Sequence, residues 1–185
     1  MALSKIDVAN FLDGTIPQGN VANASLGAVT ALPAGVGGKV LQVVSSVNGT
    51  GASNTTTTYA DTGLTATITP SSTSSKILIT FVHNGVLKRN VASALGVNIG
   101  LFRGSTQLDT VSVEAGWTNT TDWNDIGAVG ATYLDSPSTT SATTYKTQFR
   151  CQNVTGEVNI NSANAGSYIT LMEIAGWLLQ KQYLK

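Results

Sequence analysis

Period-two alternation of apolar and polar residues constrains this chain more than any other feature. Residues 64–69, Leu-Thr-Ala-Thr-Ile-Thr, alternate and stop at Pro70. Tyr145, Thr147, Phe149 and Cys151 oppose Thr144, Lys146, Gln148, Arg150 and Gln152. Successive side chains of a strand point to opposite faces, so such segments read as half-buried strands. Within residues 76–82, Ile77, Ile79 and Phe81 share a face; Val97, Ile99 and Leu101 alternate with Asn98 and two glycines. Residues 40–44 form a compact β-branched run, and residues 168–174 are the last strong strand. Residues 108–113 and 126–133 are weaker candidates. With turn residues between these segments and no long helical pattern, the expected fold is all-β: an antiparallel β-sandwich or jelly roll of about eight strands.

Two of these strands are apolar on both sides. Leu78 and Val82 lie opposite Ile77, Ile79 and Phe81, and Ile169 and Leu171 lie opposite Tyr168, Met172 and Ile174. Such a strand is expected to be covered on both faces. Leu78, Val82, Ile169 and Leu171 are therefore the expected oligomer interface. The alternative cover is a folded-back part of the N-terminal segment.

That segment, residues 1–38, differs from the rest. Ser4 is a candidate N-cap with Asp7 three residues on, and Gly14 would end the short helix. Leu3, Ile6, Phe11 and Leu12 give it a patchy apolar face. Pro17, Gly19, Gly27, Pro33, Gly35, Gly37 and Gly38 then punctuate small residues, a text that builds no core of its own. The expectation is an extended arm or stalk, 1–38, anchoring a sandwich domain, 39–185.

Composition removes several function classes. Charged residues are 11% of the chain, with 10 Lys plus Arg against 10 Asp plus Glu. A neutral chain lacks the basic footprint that nucleic acid calls for. No apolar run reaches the length of a membrane span, and Asp7 arrives too early for a secretory signal, so neither membrane insertion nor secretion is expected. Cys151 and His83 are the single cysteine and histidine. Each lies on an apolar strand face, where a buried thiol and a hydrogen-bonded core histidine are the default. Gly35-Val36-Gly37-Gly38-Lys39 lacks the first glycine and the Ser/Thr of a P-loop, and no nucleophile elbow occurs. The chain is expected to be no enzyme and to need no metal or cofactor.

The richest polar cluster runs from Glu114 to Asp125. Trp117 and Trp123 stand among Asn119, Asp122, Asn124 and Asp125. A ring stacks on the apolar face of a sugar while amides and carboxylates take its hydroxyls, so these six residues are candidate glycan contacts. Paired carboxylates also suit glycoside hydrolysis, and the Asp/Asn density suits Ca²⁺ without EF-hand spacing. The plain alternative is a long loop whose tryptophans pack on the sandwich end.

Residues 1–10, Met-Ala-Leu-Ser-Lys-Ile-Asp-Val-Ala-Asn, and 12–17, Leu-Asp-Gly-Thr-Ile-Pro, resemble the start of tail-fibre and other virion appendage proteins of tailed phages. Residues 38–44, 68–79 and 169–174 are similar to strands of their domains. The resemblance implies a non-enzymatic virion structural protein made in the host cytoplasm and carried on the virion surface. It implies a jelly roll like the trimeric tumour-necrosis-factor-like fold, a homotrimer, and an arm attached to phage capsid or tail proteins. The family's fibres are usually longer, with a shaft. The short arm here suits a stubby fibre, a knob or a capsid-decorating cement protein, with host surface glycan as the further partner of a fibre.

Overall fold

The structure is a computed structural model, and it describes residues 40–90, 95–118, 123–152 and 156–176. Side chains of residue 90 and residues 112–125 are not among those described. Ten strands follow one another: β1 (Val40–Asn48), β2 (Ala52–Asn54), β3 (Ala60–Ile68), β4 (Lys76–Asn90), β5 (Leu95–Arg103), β6 (Thr106–Thr118), β7 (Trp123–Asp135), β8 (Thr143–Cys151), β9 (Gly156–Ile160) and β10 (Ser167–Ile174).

Two antiparallel sheets result. One runs β1-β10-β4, with β7 on the far side of β4 and the short β9 and β2 continuing the near side. The other runs β3-β8-β5-β6. Setting β2 and β9 aside, the eight long strands follow the double Greek-key order of a jelly roll, first strand beside last. The eight expected strands are these eight. The sequence reading missed β2 and β9, which pair with each other at Ala52–Asn54.

The alternation seen in the sequence becomes the core. Leu64 and Ile68 from β3, Ile77, Ile79 and Phe81 from β4, Val97, Ile99 and Leu101 from β5, and Tyr145 and Phe149 from β8 are buried between the sheets. Each such aliphatic or aromatic side chain contributes about 1.5–3 kcal/mol relative to exposure. Gly85 (φ +57°) makes the bulge that lets β4 pass from β10 to β9, and a Cβ there would lie 2.6 Å from the Ser162 backbone.

The outer face of the second sheet is covered from within the chain. Residues 95–102 of β5 are all buried. Tyr59 lies edge-on to Phe102 at 5.3 Å, and the Arg150 guanidinium sits 5.0 Å from the Tyr59 ring. Gly100 leaves the room, since a Cβ there would come within 3.3 Å of Tyr59.

One expectation needs correcting. Ile169 and Leu171 are fully buried in the core of the single chain and cannot form an oligomer surface. Strand register decides it: Ile169 pairs with Phe81 and Leu171 with Ile79, so they share the inward face. Leu78 and Val82 do face outward, opposite Met172 and Tyr168. The arm residues Leu3, Ile6, Phe11 and Leu12 lie outside the described residues.

Candidate functional site

Strand ends sort the sandwich into two poles. At one pole Val40 pairs with Ile174, Ile174 with Lys76 and Ile77 with Asp135. The first and last described stretches of the sandwich, at Val40 and Ile174, therefore both lie at this pole. At the other pole Arg89 pairs with Trp123, Asn90 with Gly156, Leu95 with Thr118 and Val97 with Cys151. The connections 91–94, 119–122 and 153–155 all start and end at that second pole.

The tryptophan-bearing cluster belongs to the second pole. It is not the long loop expected: Trp117 lies in β6, while Trp123, Asn124 and Asp125 begin β7. The backbones of Trp123, Asn124 and Asp125 pair with Arg89, Lys88 and Leu87. Asn119 and Asp122 lie outside the described residues. The structure thus brings the strand positions of both tryptophans to one end, on two strands that belong to different sheets. Lys88, opposite Asn124, is fully buried, and burial holds its ammonium below the usual lysine range. The sequence reading missed it; the only signal was a cationic pair, Lys88-Arg89, closing an apolar strand.

The single histidine and the single cysteine are sealed inside. His83 is fully buried. Its Nδ1 lies 3.1 Å from the Ser167 hydroxyl and its Nε2 lies 2.8 Å from the Thr147 hydroxyl. Asn161 fixes the direction of this chain, because its Nδ2 donates to Asn48 O and Thr50 O and its Oδ1 accepts from Ser167. Ser167 therefore accepts from His83 Nδ1–H, and Nε2 accepts from Thr147, whose oxygen is 2.7 Å from the Thr62 hydroxyl. Burial lowers the His83 pKa to about 4, so the ring is neutral near pH 7. Cys151 is buried with Sγ 3.4 Å from Asn54 O, and burial raises its pKa. Both residues act as core elements, as their apolar strand faces led one to expect.

Two further polar clusters do structural work at the first pole. Asp135 of β7 accepts from Arg103 Nη1 at 2.8 Å and 3.0 Å and from the Tyr145 hydroxyl at 2.6 Å, which joins the two sheets. Burial first, then the Asp135 carboxylate, raise the Tyr145 pKa. The second cluster gathers around the Glu173 carboxylate, which accepts from Ser71, Ser75 and Gln42. Among the described residues, no group of three or more His, Cys, Asp and Glu side chains could hold a metal ion. No described helix is long and apolar enough to cross a membrane.

Strand order and the buried faces of the two sheets define a jelly-roll β-sandwich. No family model and no curated protein matches the chain. Among solved structures, VP2 of infectious bursal disease virus in a subviral particle is similar with TM-score 0.40 and 11% identity, over 73% of this chain and 37% of that one. The Gx strain of the same virus gives TM-score 0.38 and 9% identity, over 73% and 38%. The chain spans less than two fifths of the length of these proteins.

Proposed function

We propose that the chain is a non-enzymatic virion structural protein, a homotrimeric surface knob held to a phage particle by residues 1–38. The observation that carries this reading is the separation of the poles. The arm joins the sandwich at Val40, beside Ile174 and Lys76, while the tryptophan-bearing strand ends lie at the opposite pole. A knob anchored at one pole presents the other outward. The interior supports the same reading, since His83 and Cys151 are enclosed by core contacts.

The test is particle binding. Full-length chain should sediment with particles, and chain lacking residues 1–38 should stay in the supernatant with its β circular dichroism intact. Equal binding by both forms overturns the anchoring role. Loss of capsid strength in particles without the protein assigns it as a cement; loss of adsorption alone assigns it as a short fibre.

A second reading is favoured by the convergence of Trp117 and Trp123 on one pole: a host-glycan-binding module of a tail fibre. Ring stacking with neighbouring amides suits a sugar. Wild-type binding on a glycan array, lost in both Trp117→Ala and Trp123→Ala, supports it. An array on which the wild type binds nothing ends it.

A further inference from the structure

We infer that the outer face of the β1-β10-β4-β7 sheet is the surface through which copies of this chain associate. This deepens the trimer of the proposed function and rests on it.

The face is built by strand register. Val43 stands beside Met172 and Val47 beside Tyr168; Met172 stands beside Leu78 and Tyr168 beside Val82; Leu78 stands beside Leu134. Val47 is 63% exposed, Leu134 56% and Tyr168 52%, and Val40, Leu41 and Val43 are exposed to a similar degree. Among described residues nothing covers them. The opposite sheet differs, because there Tyr59 and Arg150 cover β5. One sheet is finished by its own chain and the other is left apolar.

Area and charge both point to a second copy as the cover. The exposed parts of Val40, Leu41, Val43, Val47, Leu134 and Tyr168 amount to roughly 550 Å², at the upper end of a monomer's largest patch and about two thirds of the ~800 Å² each partner gives to a standard interface. Between the apolar residues stand Ser45, Thr80, Thr132 and Thr170, with Thr80 and Thr132 hydroxyls 3.2 Å apart. Among the described residues, charge stands only at the margins of this patch: Lys76, bonded to Ser136, at one end, and Arg89 beside Glu157 toward the other pole. Interface centres are depleted of charge in the same way. A patch with no charge at its centre has little to steer a charged foreign partner, and copies of a chain with zero formal net charge do not repel one another.

The experiment is sedimentation equilibrium of the full chain at micromolar concentration, with Leu134→Glu and Tyr168→Glu as variants. The wild type should sediment as an oligomer, and each variant should be monomeric or at least a hundredfold weaker in association, with unchanged circular dichroism. A second measurement covers a variant that fails to fold. Leu134→Cys adds a thiol at an exposed position, whereas native Cys151 is buried. The maleimide reaction of that new thiol should be slowed at least tenfold in the oligomer relative to dilute monomer. An oligomer that persists in both charged variants, or an introduced thiol that reacts at full rate within it, overturns the assigned face and leaves the trimer standing. A monomeric wild type overturns the trimer as well. If the Leu134→Cys thiol of that monomer reacts at least tenfold faster once residues 1–38 are deleted, the cover is the chain's own residues 1–38.

Discussion

The carboxylate of Glu173 holds Ser71 twice: Oε1 accepts the Ser71 backbone N–H at 2.7 Å and its hydroxyl at 2.6 Å. The same oxygen accepts the Ser75 hydroxyl, and Oε2 accepts Gln42 Nε2, both at 2.6 Å. Four donors thus serve one fully buried carboxylate, and they tie the turn after β3 to β10 and β1. Glu173→Gln removes the charge that orients them and should cost about 1–3 kcal/mol. Urea unfolding at pH 7 measures it.

Acid should weaken the same tie. Burial pushes the Glu173 pKa up, but the hydrogen bonds from Ser71, Ser75 and Gln42 outweigh it and bring the pKa to about 2, against 4.5 unfolded. Above pH 4.5 both states are ionised and the stabilisation is complete. Between pH 4.5 and about 2 the unfolded chain takes up a proton that the folded chain refuses, and up to about 3 kcal/mol is lost. Urea midpoints at pH 5 and pH 3 should differ in the wild type and much less in Glu173→Gln.

His83 acts in a higher window. Its folded pKa is about 4, against 6.5 for the free side chain. Above pH 6.5 the ring is neutral folded and unfolded, so stability is flat. From pH 6.5 down to about 4 the unfolded chain alone gains the proton, and about 3 kcal/mol of stability is lost. The ring proton shifts in NMR should stay constant from pH 8 to about 5. A midpoint near 6.5 would refute the enclosed, neutral histidine.

Tyr145→Phe should destabilise by about 1–3 kcal/mol, because Asp135 keeps Arg103 but loses its buried phenol donor. Thermal melts of Tyr145→Phe, Arg103→Lys and the double variant would give the coupling, expected to be non-additive across one shared carboxylate.

The two faces of β10 should respond differently to truncation. Ile169→Ala opens a cavity in the core and should cost about 2–5 kcal/mol. Tyr168→Thr alters an exposed position with another good strand former and should change the stability of the isolated monomer by less than about 0.5 kcal/mol. Equal losses would contradict the register.

Alternation carried most of the fold. Residues 64–69 and 144–152 alternate polar and apolar residues strictly enough that one face had to be inward. The same logic failed on β10, where Ile169 and Leu171 compete with Tyr168, Met172 and Ile174 and both faces are apolar. Pairing with Ile79 and Phe81 resolves it, and pairing is not written in one strand. β2 and β9 carry too few residues for a period to register. Glu114–Asp125 reads as a loop because its polar residues are dense, yet β6 and β7 run through most of it as paired strands, where partner backbone overrides propensity. Both tryptophans were legible as a cluster; their place at the pole opposite Val40 required the topology.

The pairing of β1 with β10 also sets a timetable. Gln42 and Glu173, bonded in the finished sheet, are 131 positions apart. At a translation rate of about 5–20 residues per second, β1 waits on the order of ten seconds for its neighbour. Until β10 has been synthesised, Val43 and Val47 have no adjacent Met172 and Tyr168, and the apolar face does not yet exist. Neighbouring nascent chains on one messenger therefore cannot join through it. Association through the proposed face would begin only after β10 is made, which would spare a chain with so much strand edge from pairing too early.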